Sequence, residues 1–279
     1  MTVEGIHPTA IIDPRSRLGE GVSVGVYSVI GPEVMLGAGC QVGHHVVLEG
    51  KVSVGERSRI GHGSVIGAPP QDLKYREGTP SGVRIGADTV IRECVTVHRA
   101  TREEGWTQIG DHCLVMSTSH IAHDCKIGDH VIIINYAGIT GHVAVEDWAT
   151  VGGLSGIHPF ARIGAYAYIG GCSKVMQDVP PAVIADGVPA TARAVNVIGL
   201  RRAGVDAESR KQLRAAFQIL YRSGLAPRSA TQRIRAELPP SPLVSLLVEF
   251  VQASRLGIVG SHRAGAGAEL PEAAAERIF

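Results

Sequence analysis

The sequence predicts a mainly β protein, a solenoid of six-residue repeats followed by a small C-terminal α-helical domain. Three observations carry this expectation. An aliphatic residue returns at every sixth position over long stretches, the mark of a repeat architecture. A small side chain stands two positions before most of them (Ser28 before Ile30, Cys40 before Val42, Ala149 before Val151, Ser173 before Val175), and residues two apart share one face of a strand. The chain carries 35 glycines and only 4% aromatic residues, so stacked aliphatics must fill the interior in place of rings.

In chain order, the beat runs from Ile6 through Ile12, Leu18 and Val24 to Ile60 and Ile66. It returns at Ile85, Ile91 and Val97, and again from Ile109 to Val175. Each unit predicts a short strand and a corner. The glycine that commonly follows the aliphatic, as at Gly19, Gly37, Gly55 and Gly110, is expected to supply backbone angles that a corner demands. Two interruptions, APPQDLKYREGTPSGVR (68–84) and RATREEGWTQ (99–108), are polar and bear proline or glycine. Both are expected to be excursion loops, where functional residues collect. The prolines of QDVPPAVIADGVPA (177–190) are expected to end the repeat, within a solenoid domain spanning residues 1–195. The period changes from about Gly204. Asp206 fits the N-cap of a helix with Leu213, Phe217 and Leu220 on one face, and further helices are expected around Ser229–Leu238 and Leu243–Arg255. Together these form a helical domain over 196–256, and the Gly/Ala-rich stretch 257–279 reads as a flexible tail.

Charge and composition exclude several roles. Lys plus Arg number 27 against 26 Asp plus Glu, a net charge of +1 that recommends neither nucleic acid nor a membrane surface as partner. No apolar run approaches the roughly eighteen residues of a membrane span, and MTVEGIHPTA has no signal-peptide character, so a cytoplasmic protein without stable membrane insertion is expected. The five cysteines are odd in number and lack CxxC pairing, which reads as reduced thiols. Cys40, Cys113 and Cys125 occupy the small inward slot and read as packing residues.

The repeat resembles that of the hexapeptide-repeat proteins, which implies a left-handed parallel β-helix of triangular section with three hexads per coil. On that geometry His123 lies beneath Gly141, one coil away, with His142 beside it. An imidazole suits proton abstraction near neutral pH, and a bare glycine N–H can hold an oxyanion, the two needs of acyl transfer. None of the twelve histidines takes an inward hexad position, so their rings are expected at corners or outside. His44, His45, His62, His112 and His130 read as surface polar residues.

HIAHDC (120–125), QDLKY (71–75), IRECVTVHR (91–99), GGCS (170–173), QDVPP (177–181) and NVIGLRRAG (196–204) together resemble the UDP-N-acetylglucosamine O-acyltransferases, in the same order over about residues 6–255. The resemblance implies transfer of an (R)-3-hydroxyacyl group from acyl carrier protein to the 3-hydroxyl of UDP-N-acetylglucosamine, the first step of lipid A biosynthesis, by a homotrimer with no cofactor or metal. It implies His123 as general base, the Gly141 N–H as oxyanion donor and Asp124 as the group orienting the base. Gln71, Asp72 and Lys74 would contact sugar, acyl hydroxyl or phosphates. His98, His120, His142 and His158 match cleft histidines, Asn196 and Arg202 the nucleotide end, and Gly171 the acyl-length ruler, where glycine leaves room for a longer chain. Pro159, the segment IADGVPA (184–190) and Ile198 depart from the family pattern, which bears on nucleotide recognition.

Between Gly199 and Arg255 ten basic residues face four acidic ones, a local charge of 10 − 4 = +6. Arg201, Arg202, Arg210, Lys211, Arg214 and Arg222 could steer an acidic carrier protein, against the plainer reading of a solvated helical face. Three other readings stay open on sequence: a related N-acyltransferase using a 3-amino UDP-sugar, a zinc enzyme like the γ-type carbonic anhydrases, and a scaffold without catalysis.

Overall fold

The computed structural model describes residues 5–260. The chain winds into a three-sided prism, a parallel β-helix whose faces are sheets of nine, eight and ten short strands. The first face runs from Ile11–Ile12 to Lys174–Val175, the second from Arg17–Leu18 to Arg162–Ile163, and the third from Ser23–Val24 to a closing hairpin. Register advances by 18 residues per coil where no loop intervenes, so Ile121 pairs with Ile139 and Ile139 with Ile157. Coil-to-coil hydrogen bonds hold it, as where Ala122 N donates to Ile139 O at 2.8 Å.

The hexad aliphatics fill the interior. Ile121, Ile133, Ile139 and Ile169 are fully buried, each contributing roughly 1.5–3 kcal/mol by leaving water. The small inward side chains close the corners from inside: Ser28 Oγ donates to Gly43 O and accepts from Val46 N. Cys113 and Cys125 Sγ likewise donate to Gly128 O and Thr140 O. Burial pushes the Cys125 thiol up to about 12 and Cys113 up to about 11, so both are inert packing groups.

The corner glycines have a different cause from the expected one. Gly19, Gly37 and Gly55 do not adopt left-handed angles; instead, an added Cβ would lie 2.6, 2.6 and 2.5 Å from Ala38 N, Glu56 N and Ala87 N. Glycine is required because successive coils approach too closely for any side chain. The left-handed positions lie two residues further on; Gly21 and Gly39 occupy two of them, but most hold large residues, among them Arg57, His112, Asp124, His130, His142, Trp148 and Phe160, with φ between 55° and 66°. Each costs about 1–2 kcal/mol of backbone strain, offset by coil hydrogen bonds such as His142 N to His123 O at 3.0 Å.

Excursions leave the prism at 69–81 and 99–105, between strands ending at Ala68 and His98 and those starting at Gly82 and Trp106. The prolines after Val175 do not end the sheet. Pro180 and Pro181 fall at a corner where no ladder N–H is needed, and Val183–Gly187 then adds to the third face parallel to Tyr168–Ile169. Ala190–Val195 folds back antiparallel to complete it.

Among the described residues four helices follow: α1 (Val197–Arg202), α2 (Ala207–Arg222), α3 (Pro227–Glu237) and α4 (Pro242–Ala253). Helix α1 begins ahead of the period change at Gly204, and its six residues are too few to show a periodicity. Asp206 Oδ1 accepts Ser209 N and Ser241 Oγ accepts Val244 N as N-caps. Leu200, Leu213, Leu220, Ile234, Leu247 and Val251 form their own buried cluster, against which Tyr166 of the prism packs. Arg162 stacks over Phe250 at 4.0 Å, and Ser254 donates to the buried Asp178 at 2.7 Å, docking the helices on the prism. The start of the expected flexible tail is tied down: Val259 N donates to Asp178 O and Ala192 N to Gly260 O. Its remainder, 261–279, lies outside the described residues. Among the described residues no helix is long and apolar enough to cross a membrane.

Candidate active site

The first face carries the candidate site. Its outward positions, one per coil, are Thr96, His120, Gly138, Gly156 and Lys174. Gly138 and Gly156 leave the centre of this surface without side chains; a Cβ built on Gly156 meets nothing within 4 Å. One flanking corner presents Tyr136 and Leu154, 58% and 64% exposed, and the other His142 and Phe160, stacked at 4.6 Å. The result is a shallow channel with apolar walls and a bare floor.

His123 and Asp124 stand at the histidine end of this channel. The Nδ1–H of His123 donates to Asp124 Oδ2 at 3.0 Å, which leaves Nε2 as the proton-accepting nitrogen. Gly141 lies directly against the ring: a Cβ there would sit 2.5 Å from Cε1 and 2.7 Å from Nε2. Only glycine fits beside this imidazole, and the Gly141 N–H donates to no other group among the described residues. Thr101, on the second excursion, donates both N–H (3.0 Å) and Oγ1–H (2.7 Å) to Asp124 Oδ2. Thr107 Oγ1 accepts the Asp124 N–H at 2.9 Å. Burial pushes the Asp124 carboxyl upward, but the hydrogen bonds from His123 and Thr101 prevail and hold it at about 2, so it is a carboxylate at any working pH.

The other histidines divide. His142 keeps one edge open, its side chain 37% exposed and its ring edge-on to His123 at 5.1 Å; the partial burial, with the neighbouring His123 and Arg102, lowers its basicity against the opposing pull of Asp124 and Asp72. Asp72 and Arg102, one from each excursion, are thereby placed within electrostatic reach of the site. His120 Nδ1 shares a hydrogen with Thr96 Oγ1 at 2.8 Å, and burial lowers its basicity. His98 corrects the expectation that all rings lie at corners or outside: it is buried at 7% exposure because its strand runs past the usual corner, opposite Ala68. Burial and the neighbouring His120 and His123 lower it to about 4, and its buried Nδ1 has no partner among the described residues. His158 donates from Nδ1 to Pro159 O at 2.9 Å, leaving a buried Nε2 without a partner among the described residues.

On the first excursion Gln71 and Lys74 are exposed, and Asp72 Oδ1 accepts the Lys74 N–H at 2.8 Å to form the tip. Gly171 is exposed two coils beyond Asn135, where a Cβ would meet only Gly153 O at 3.4 Å. Asn196 and Arg202 do not join this cluster. Asn196 is buried, caps α1 through Gly199 N and donates to Tyr166 O, so its amide is engaged within the fold at a different corner. Arg202 is exposed at the end of α1.

His123, Asp124 and His142 each offer a potential metal-ligating atom, all within 4.8 Å of one another. Asp124 Oδ2 already accepts three hydrogen bonds, so the set is arranged first as a polarised histidine. Thr101, Phe160, Gly138 and Gly156 were not singled out from sequence. The two glycines had a legible signal, since each precedes a hexad isoleucine at an outward position, whereas the reach of Thr101 to Asp124 depends on how a loop returns.

Comparison with known proteins gives a consistent result. A family model described as Udp N-acetylglucosamine O-acyltransferase, Domain 2, matches residues 178–259, and a bacterial transferase hexapeptide model matches 33–68 and 107–141. Acyl-[acyl-carrier-protein]--UDP-N-acetylglucosamine O-acyltransferase of Aquifex aeolicus is 56% identical over 92% of this chain and 99% of its own length. The protein of that name from Thermodesulfovibrio yellowstonii is 46% identical over 91% and 98%. The solved structure of LpxA from Acinetobacter baumannii superposes with a TM-score of 0.87 at 41% identity, covering 91% of this chain and 99% of that one.

Proposed function

This chain belongs to the UDP-N-acetylglucosamine O-acyltransferase family and is an acyltransferase, and from that premise we propose that it moves an (R)-3-hydroxyacyl group from acyl carrier protein to the 3-hydroxyl of UDP-N-acetylglucosamine, the first step of lipid A biosynthesis, in the cytoplasm. The observation that carries the mechanism is the His123 ring, fixed by Asp124, lying against the bare backbone of Gly141.

Nε2 of His123 takes the proton of the sugar hydroxyl as the oxygen attacks the thioester carbonyl. The Gly141 N–H holds the oxyanion of the tetrahedral adduct. Collapse breaks the carbon–sulfur bond, and the imidazolium returns its proton to the leaving thiolate, so the enzyme ends as it began. General-base catalysis contributes about 10²–10⁴-fold and an oxyanion donor about 10²–10³-fold. Asp124 remains a carboxylate throughout and stabilises the imidazolium, while the channel floored by Gly138 and Gly156 receives the acyl chain and the open position at Gly171 admits a longer one. Gln71, Asp72 and Lys74 on the first excursion, with His98, His120, His142 and His158 around the base, are the groups we assign to sugar, phosphate and acyl hydroxyl.

Asn196 sits at another corner of the prism and Arg202 beyond it at the end of α1, so we assign a nucleotide role for Arg202 to the cleft of a neighbouring copy. This supports a homotrimer with each cleft lined by two prisms. Mixed assemblies of His123→Ala and Arg202→Ala chains should then regain activity that neither variant has alone, and failure to do so would remove the shared cleft. Exposed Arg201, Arg202, Lys211, Arg214 and Arg222 suit an acidic carrier protein, while Arg210 already donates to Val205 O. The deciding experiment is mass spectrometry of the product from UDP-N-acetylglucosamine and a set of 3-hydroxyacyl carrier proteins. It should yield a monoacylated nucleotide sugar with an ester linkage; absence of product with every chain length would refute the reading.

A further inference from the structure

The second excursion, 99–105, touches both halves of the site without supplying any group to the reaction. At its start, Arg99 donates from Nε to Tyr75 Oη at 3.2 Å and from Nη1 to Gly67 O at 3.0 Å, and its guanidinium lies 5.9 Å from the Tyr75 ring centre. Tyr75 closes the turn that contains Asp72, Leu73 and Lys74, since its N–H donates to Asp72 O at 2.9 Å. Two residues on, Thr101 places two donors on the one carboxylate oxygen that holds the His123 ring. Further along, Glu104 pairs with Lys51 on the prism at 3.0 Å and Glu104 N donates to Pro80 O at 2.7 Å, anchoring the loop to the prism and to the foot of the first excursion.

We infer that this loop is the positioning element of the site, with Thr101 fixing the Asp124 carboxylate behind the general base and Arg99 fixing the first excursion that carries Asp72 and Lys74. The two anchors have separable consequences. A carboxylate accepts hydrogen bonds around a freely turning Cβ–Cγ axis, and two donors from one residue select a single rotamer, the one that faces His123 Nδ1. Thr101 therefore acts on the chemical step. Arg99 grips a turn remote from the base, so its loss loosens substrate contacts and leaves the base in place. Neither residue is a catalytic residue in the sense of touching the reacting atoms.

The inference rests on the proposed acyl transfer with His123 as base, and its test separates the two. Thr101→Val keeps the shape and the backbone N–H but removes the hydroxyl. Thr101→Ser restores it, and Arg99→Lys keeps the charge but not the two-pronged grip. With steady-state kinetics on UDP-N-acetylglucosamine and an accepted 3-hydroxyacyl carrier protein, Thr101→Val should lose about tenfold in kcat with KM nearly unchanged. Thr101→Ser should recover to within about twofold of the parent. Arg99→Lys should raise KM for the nucleotide sugar about fivefold or more, with kcat little affected. Thermal melting of all three near the parent value excludes misfolding. Unchanged kcat in Thr101→Val, or equal losses in the Ser and Val variants, overturns the role of Thr101, and a kcat defect without a KM defect in Arg99→Lys overturns that of Arg99. If the parent chain itself forms no product, it is the functional reading that fails.

Discussion

Two corners of the prism carry histidines at the same place in the hexad and with the same backbone shape, yet their surroundings differ. At one, His112, His130 and Trp148 stack along the axis with ring centres 4.9 and 4.1 Å apart. Beside them Asp129 accepts the Asp111 N–H and Asp147 accepts the Asp129 N–H, so these carboxylates tie one coil to the next. At the other, Asp124, His142 and Phe160 occupy the equivalent left-handed positions, with φ of 59°, 62° and 66°. There the carboxylate faces a ring instead of a backbone amide, and two excursions crowd the surface. Backbone conformation is thus shared, but His123 stands one position before the left-handed residue, where the other corner has Asp111, Asp129 and Asp147; what differs is whether the carboxylates tie coil to coil or one is held by a loop against a ring beside an open channel. The expectation that His112 and His130 are plain surface residues understates them, because stacking makes them part of the corner.

The contrast can be broken most sharply at the two rings. His123→Ala should lower kcat/KM by about 10³-fold, while His130→Ala at the other corner should leave it within about twofold; steady-state kinetics decides, and loss of activity in His130→Ala would erase the distinction. Next in size is Gly141→Ala. The new methyl would displace the His123 ring, so kcat should fall about 10²-fold with the melting temperature held. Retained kcat would show that the ring does not use this approach.

The effect of acid is smaller and comes in two windows. His98 is held neutral in the fold, its affinity for a proton lowered from 6.5 to about 4, so the unfolded chain binds the proton first and stability declines as pH falls from about 6.5 to about 4. Asp124 is lowered from 3.8 to about 2, so its contribution is intact above about 4 and is lost as pH falls toward 2. Denaturant unfolding across pH should show both declines in the parent chain, and Asp124→Asn should abolish only the lower one. The smallest expected effect belongs to Trp148→Ala, which removes a partly exposed ring from the stack: about 0.5–1.5 kcal/mol of stability with unchanged kcat, read by calorimetry alongside the assay.

Much of the molecule was legible in the chain. The six-residue return of Ile and Val identified the interior, the small residue two places earlier identified the inward slot, and the spacing between His123 and Gly141 placed an imidazole under a glycine once a coil length was assumed. The interruptions at 68–84 and 99–108 located both excursions. Less legible were features that depend on neighbours remote in sequence. Gly19 and its equivalents looked like turn residues, and only the stacked coils reveal a steric cause. His98 looked like an outside ring until its strand was seen to continue opposite Ala68. The hairpin after Pro181 and the short helix α1 carry no periodic signal at all.

Local repetition therefore determined the solenoid from sequence alone, because each hexad solves the same burial problem with the same residues and its neighbours lie a fixed distance along the chain. Tertiary structure decided which histidine is held in the position of the proposed base. That choice turns on Thr101, Asp124 and Gly141 meeting around one ring, and the return path of a loop is set by contacts with distant coils, which no periodicity along the chain encodes.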